Sequence, residues 1–287
     1  MTITLFQDKN FRDRSMVVTG SVADLKDVSI GKNPSSIRLT GATESILLYT
    51  QKDWDGDAHY LRGPAEVADL GSKDAGGEFG FGNSVRSVRI TPFRLRLNVN
   101  VIRNEAGELP GQWPTGTQQT RMQTIVTEIN SFLNAQRALF TLEIARVTLR
   151  TSNAKYNLSL TDEFRFPAEW RNTHEIDVMV VNQFERDGVV GVGKFPHFGR
   201  TVMAAATFID ANGEQQSLSD SVIAYSLAHE LGHYLGLQHN TANGSSANLM
   251  FPEKVNGLSG VSLSAAQIEE IQQKLARAAA RGGDRHE

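Results

Sequence analysis

The sequence predicts two domains: an all-β Greek-key sandwich over residues 1–92 and an α+β domain with a mixed sheet and a histidine-bearing helix over residues 93–287. Three observations carry this. The N-terminal third holds an internal repeat, the hydrophobic pattern changes to include helical spacing beyond Pro92, and three of the 7 histidines fall within HELGHYLGLQH, His229 to His239. A length of 287 residues also suits about two domains.

In the repeat, Phe6-x-x-x-x-Phe11-x-Asp13 returns as Tyr49-x-x-x-x-Trp54-x-Gly56. Val22-Ala-Asp-Leu25 returns as Val67-Ala-Asp-Leu70, and Ser36-Ile-Arg-Leu39 as Ser87-Val-Arg-Ile90. Short β-branched and aromatic runs between Gly, Asp and Asn turns predict strands, and neither copy alone can bury its apolar face. The repeat resembles the βγ-crystallin domain, whose motif is an aromatic, four residues, a second aromatic, one residue, then glycine. Asp13 replaces that glycine in the first copy, where the family needs an unusual backbone conformation; Asp tolerates positive φ better than most residues. Many domains of that family hold Ca2+ in a loop of two Asn or Asp residues, two variable positions, Ser or Thr, then Ser. Here the loops read Gly31-Lys32-Asn33-Pro34-Ser35-Ser36 and Gly82-Asn83-Ser84-Val85-Arg86-Ser87. Lys32 and Arg86 put cations where oxygen ligands belong, so the expectation is weak calcium binding or none.

Beyond Pro92, Leu95, Leu97, Val99 and Val101 alternate with Arg94, Arg96, Asn98 and Asn100, which predicts a half-buried strand. Met122, Ile125, Val126, Ile129, Phe132 and Leu133 recur at helical spacing between Thr120 and Arg137. Strand-like runs follow at Phe140 to Arg150, IDVMVVNQF and TVMAAATFI. The run from Ser219 to Leu235 lacks proline, and glycine until Gly232, and Ser219 or Asp220 can cap it, so a helix is expected. A closing helix starts near Ser264, where Ser264-x-x-Gln267 forms a capping box ahead of Ile268, Ile271 and Leu275. The order is β, α, β, β, β, α, and the tail ARGGDRHE reads as frayed.

On the helix, His229 and His233 lie four apart on one face, which lets them offer two imidazoles to one ion. Gly236 stands where a helix commonly ends in a left-handed residue, so the chain can turn back and bring His239 in as a third ligand. Three protein ligands leave one tetrahedral position for water, the pattern of a catalytic rather than a structural zinc. The chain has no cysteine, which excludes disulfides, thiolate ligands, a cysteine nucleophile and a thiol latch. Glu230 is the expected general base: it takes the proton of a water whose pKa zinc lowers from about 15.7 toward 7, then gives it to the leaving amine. The functional reading is a zinc-dependent endopeptidase with one catalytic Zn2+ and a protein or peptide substrate. The alternative is a catalytically inactive zinc-fold binding or adhesion protein whose crystallin-like domain carries the function.

The full string H-E-x-x-H-x-x-G-x-x-H resembles that of the metzincin metalloproteases. The resemblance implies that Met250, in NLMFP, is a structural methionine turn below the metal, and that TVMAAATFI is the cleft-edge strand with which an extended peptide could pair; its alanines, Ala204 to Ala206, equally suit plain close packing. Asn240 and Pro252 depart from the serine of matrixins and the tyrosine of astacins and serralysins, which leaves the subfamily open. Tyr225 and Tyr234 read as packing residues. His197 has no ligand partners at proper spacing and reads as a loop histidine; His59, His174 and His286 read as surface residues.

Hydrophobic residues at 40%, charged residues at 21% and a net charge of -3 are ordinary globular values with no electrostatic case for nucleic acid or anionic membrane as partner. MTITLFQDKNFRDRS lacks the basic start and apolar core of a secretory signal, and no later run reaches bilayer length. The expected location is therefore the cytoplasm, or outside by a signal-independent route.

Overall fold

Alternating aliphatic residues build the first strands, and the repeat dictates how they pair. The structure, a computed structural model, describes residues 2–28, 33–40, 45–71, 85–90, 92–159, 166–172, 175–185, 191–193, 201–210, 212–241, 245–252 and 257–280. They fall into two compact units, Met1–Phe93 with Asn134–Phe140 and Ala265–Glu287, and Arg94–Leu133 with Thr141–Ser264.

The first unit contains β1 (Thr2–Asp8), β2 (Arg12–Val18), β3 (Ser36–Thr40), β4 (Ser45–Tyr49), β5 (Ala58–Arg62), β6 (Ala65–Val67) and β7 (Ser87–Arg89). They form two antiparallel sheets, ordered β2-β1-β3-β6 and β5-β4-β7. The copies exchange strands: Val67 of the second pairs with Ile37 of the first, while Val22 of the first bridges Val88 of the second. Ile3, Leu5, Ile37 and Leu39 from one sheet and Ile46, Leu48 and Val88 from the other are buried in one core. Equivalent serines tie equivalent turns. Ser36 Oγ donates to Asp8 O (2.7 Å) and accepts from Phe11 N (3.0 Å); Ser87 Oγ donates to Gln51 O (2.7 Å) and accepts from Trp54 N (3.2 Å). Asp13 adopts φ 63° where the second copy has Gly56 at φ 81°, so the aspartate holds the left-handed conformation that the motif requires.

In the second unit, chain order is β8 (Phe93–Arg103), α1 (Gln118–Ala135), β9 (Phe140–Thr151), the one-turn α2 (Asn153–Tyr156), β10 (Asn157–Leu158), β11 (Ile176–Val181), β12 (Gln183–Phe184), β13 (Gly191–Gly193), β14 (Thr201–Ala205), β15 (Thr207–Ile209), β16 (Gln215–Ser217) and α3 (Asp220–Tyr234). The main sheet runs β13-β14-β11-β8-β9. β8, β11 and β14 are parallel, and β13 is antiparallel to β14. β9 runs with β8, for Phe93 N donates to Leu139 O (2.9 Å) at one end and Ser152 N to Arg103 O (2.9 Å) at the other.

Two expectations are corrected here. β8 is not half-buried: Asn98 and Asn100 are both 0% exposed. Both Nδ2 groups donate to Trp170 O (3.1 Å each), and Arg146 and Arg150 donate to the two Oδ1 atoms, so amides satisfy a second covered face that alternation would have left to solvent. TVMAAATFI is not an edge strand. It breaks after Ala205, and β14 lies between β11 and β13 with all five residues buried, so its apolar run reflects cover on both faces; the sheet edge is β13.

Helix α4 (Ala265–Ala280) packs on β5 within the first unit. There His59 Nδ1 lies 3.0 Å from Glu269 Oε1 and its side chain is 19% exposed, so His59 is a partly covered, paired residue rather than a surface one. No helix among the described residues is long and apolar enough to cross a membrane.

Candidate metal centre

Helix α3 starts at its N-cap Ser219, whose side chain accepts from Val222 N (3.4 Å). Asp220 and Ser221 are bonded to Arg121 and Glu128 of α1, which anchors the first turn. Within the helix, His229 and His233 share a face. At its end Gly236 takes φ 98°, and Gly236 N and Leu237 N close onto His233 O (2.8 Å) and Gly232 O (2.9 Å). That left-handed turn reverses the chain and carries His239 back to the helix.

The three imidazoles converge. Their candidate ligand atoms all lie within 4.8 Å of one another, with His239 Nε2 at 3.3 Å from His229 Nε2 and 3.0 Å from His233 Nε2. Donors about 2.0–2.1 Å from one tetrahedral zinc stand about 3.3 Å apart, which matches this spacing. Two outward nitrogens are occupied: His229 Nδ1 donates to Leu249 O (2.7 Å) and His233 Nδ1 to Leu237 O (2.8 Å). Neutral rings bonded in this way turn bare Nε2 lone pairs toward each other, an arrangement that a cation relieves. Burial pushes the His229 pKa down to about 4, reinforced by its two neighbouring histidines and opposed by the Leu249 carbonyl. Burial likewise lowers that of His233. Both therefore stand in the neutral form that binds metal. Exposure rises from His229, 8%, to the exposed His239, so the cluster opens to solvent on one side. Glu230, 7% exposed, follows His229 on the helix; its charge, secondary to burial, helps push the Tyr225 pKa up to about 12.

Residues 248–251 form a floor for the cluster. Leu249 O holds His229, Met250 O accepts from Asn240 N (2.9 Å) beside His239, and Met250 N is held by Asn248 Oδ1 (2.9 Å). Met250 itself is 0% exposed, and a Cβ built on Gly232 would stand 2.5 Å from its sulfur. The helix rests on the methionine through a residue without a side chain, next to His233.

The structure thus brings His229, His233, His239 and Met250 together, with Glu230 buried on the same helix. Tyr225 does more than pack: its hydroxyl lies 3.2 Å from Leu249 O and 3.3 Å from Phe251 O, so it braces the floor that orients His229. Its place four residues before His229, on the same helix face, was the available signal. Leu237 and Leu249 act through backbone carbonyls, which no side-chain pattern reveals. His174, His197 and His286 lie outside the described residues, as do Gly31, Lys32 and Gly82 to Ser84 of the two calcium-type loops. Arg86 of the second loop is described, and it is ion-paired with Asp24.

A family model described as metallo-peptidase family M12 matches residues 105–265. Curated proteins yield no match. Among solved structures, the N-terminal region is similar to a βγ-crystallin from Ciona intestinalis (23% identity, TM-score 0.27, covering 32% of this chain and 100% of that one). It is similar also to the N-terminal domain of protein S (22%, TM-score 0.26, covering 31% and 93%) and to a βγ-crystallin domain from Clostridium beijerinckii (15%, TM-score 0.25, covering 31% and 95%).

Proposed function

Because the chain belongs to metallo-peptidase family M12, we propose that it is a zinc-dependent endopeptidase in which residues 93–287 form the catalytic domain and residues 1–92 a β domain. The observation that carries this reading is the convergence of three Nε2 atoms at 3.0 and 3.3 Å with two of the rings locked through Nδ1. His229, His233 and His239 would hold the ion. When bound, zinc supplies a Lewis acid that polarises the scissile carbonyl and acidifies water.

The remaining steps belong to the chain. The Leu249 and Leu237 carbonyls keep His229 and His233 in the tautomer with Nε2 available, and the Met250 floor holds the helix at fixed depth. Glu230 takes a proton on a carboxylate oxygen from the attacking water and delivers it to the leaving amine, so no covalent enzyme intermediate forms. An extended substrate has one edge of the main sheet within reach: β13 pairs with β14 on one side, and no strand covers its other side among the described residues. Main-chain hydrogen bonds to that edge would set the peptide's direction.

The test is hydrolysis of an unfolded protein by the zinc-loaded chain, beside Glu230→Ala and a chelator control. Cleavage should fall by at least about 100-fold in Glu230→Ala, with one zinc still bound, and vanish on chelation. A parent protein that binds one zinc yet cleaves nothing would overturn the reading in favour of a binding protein.

A further inference from the structure

The four parallel strands of the second unit end at one cavity of about 780 Å³ that none of the described histidines lines. Asn104 follows the end of β8, Asn153 that of β9, Asn182 that of β11, and Thr207 stands just beyond β14; all four line it. Counted by chain position, those strands lie in the order 2-1-3-4 across the sheet. The segments that follow the carboxyl ends of these four strands wall the cavity.

The cavity has a buried base that includes Leu109, Trp113 and Asn182, and an exposed rim that includes Glu108, Asn153, Asn157 and Gln215. Asn182 is 5% exposed and accepts from Gly111 N (3.1 Å) through Oδ1 while its Nδ2 holds Asn157 Oδ1 (2.9 Å). Gly111, at φ 59°, lies so close to β14 that a Cβ there would meet Ala206 O at 2.9 Å. Four side chains each have one terminal atom fixed within the protein. Asn153 Oδ1 accepts from Glu105 N (2.8 Å), Asn157 Oδ1 from Asn182, Gln215 Nε2 donates to Thr207 Oγ1 (2.9 Å), and Glu108 Oε2 accepts from Asn104 Nδ2 (2.5 Å). The opposite atoms are two donors, Asn153 Nδ2 and Asn157 Nδ2, and two acceptors, Gln215 Oε1 and Glu108 Oε1. Tyr156 adds an aromatic ring pinned by its hydroxyl on Leu109 O (3.1 Å).

We infer that this cavity binds a neutral carbohydrate. Each sugar hydroxyl both donates and accepts, which suits a wall that offers both donors and acceptors, and an aromatic ring suits the C–H face of a pyranose. Among the described residues no Lys, Arg or His lines the cavity, which disfavours phosphate and other anions, and its polar walls disfavour a lipid. The site is independent of the peptidase reading and would give the protein a means of holding a glycan.

Isothermal titration of the full chain with cellotetraose, maltotetraose and chitotetraose, with sialyllactose and tetralysine as charged comparisons, tests this. Saturable binding of at least one neutral tetrasaccharide is expected, unchanged in Glu230→Ala, so that failure of the peptidase reading leaves this result intact. Asn153→Ala/Gln215→Ala should weaken it by about tenfold or more, with the melting temperature and zinc content of the parent. No heat with any neutral probe, undiminished binding by the double variant, or preference for tetralysine overturns the inference.

Discussion

At the residue scale, the contact between Gly232 and Met250 shows how a position inside the histidine motif is constrained by something far along the chain. A methyl group on Gly232 would meet the Met250 sulfur at 2.5 Å, and Met250 is fully buried, so it cannot yield into solvent. Gly232→Ala should therefore destabilise by about 1–3 kcal/mol, as overpacked cores do, and weaken zinc binding because His233 is its neighbour. Met250→Ala leaves a void at the same spot, so Gly232→Ala should cost less in that background than in the parent. A double-mutant cycle by chemical denaturation measures that coupling, and strictly additive effects would refute the contact. Tyr225 belongs to the same argument. Its hydroxyl, His229 Nδ1 and the Leu249 carbonyl meet at one point, so the ring face, the tautomer and the floor are set together.

At the scale of single elements, α3 is the part whose placement matters most, since it carries two of the three convergent rings. Its first turn is held by the Ser219 cap and by Arg121 and Glu128 of α1. The cap bond is long at 3.4 Å, so Ser219→Ala should lie at the low end of the range for lost caps, about 0.5–1 kcal/mol, read from denaturation midpoints. A loss near 2 kcal/mol would mean that the side chain supports more than the helix end. The strands teach a different lesson. β8 reads as half-buried from its alternation and β14 as a sheet edge from the family resemblance, yet β14 is paired on both sides and β8 carries asparagines under a second layer of cover. An amide that finds Trp170 O and an arginine head can be buried where a solvent-facing polar residue would be expected.

At the scale of the whole molecule, the N-terminal unit is held together by contacts between its two copies, and one of them is electrostatic. The Arg86 guanidinium of the second copy, hydrogen-bonded to Asp24 of the first, lowers the aspartate pKa from 3.8 to about 2, aided by the Lys26 backbone N–H. The folded state thus gains stability that is fully present above 3.8 and is lost as pH falls through about 2. Thermal melting across that window should fall more steeply for the parent than for Asp24→Asn, whose side chain has no proton to gain; equal slopes would show that the pair contributes nothing. Much of this unit and of the histidine cluster was legible in the residues alone. Helical spacing located α1, a capped run without proline located α3, and recurring motifs located the repeat, while the four-residue spacing of His229 and His233 with Gly236 behind them implied a converging cluster, because helix geometry and left-handed glycine turns are local properties. What only the tertiary structure decided depends on segments distant in sequence. These are the exchange of Val22 and Val67 between sheets, the burial of Asn98 and Asn100, the carbonyls of Leu249 and Leu237 that set the histidine tautomers, and the cavity where four strand ends meet. None of them has a local signature, because pairing and burial are fixed by which parts of the chain come together and not by the residues that stand beside them.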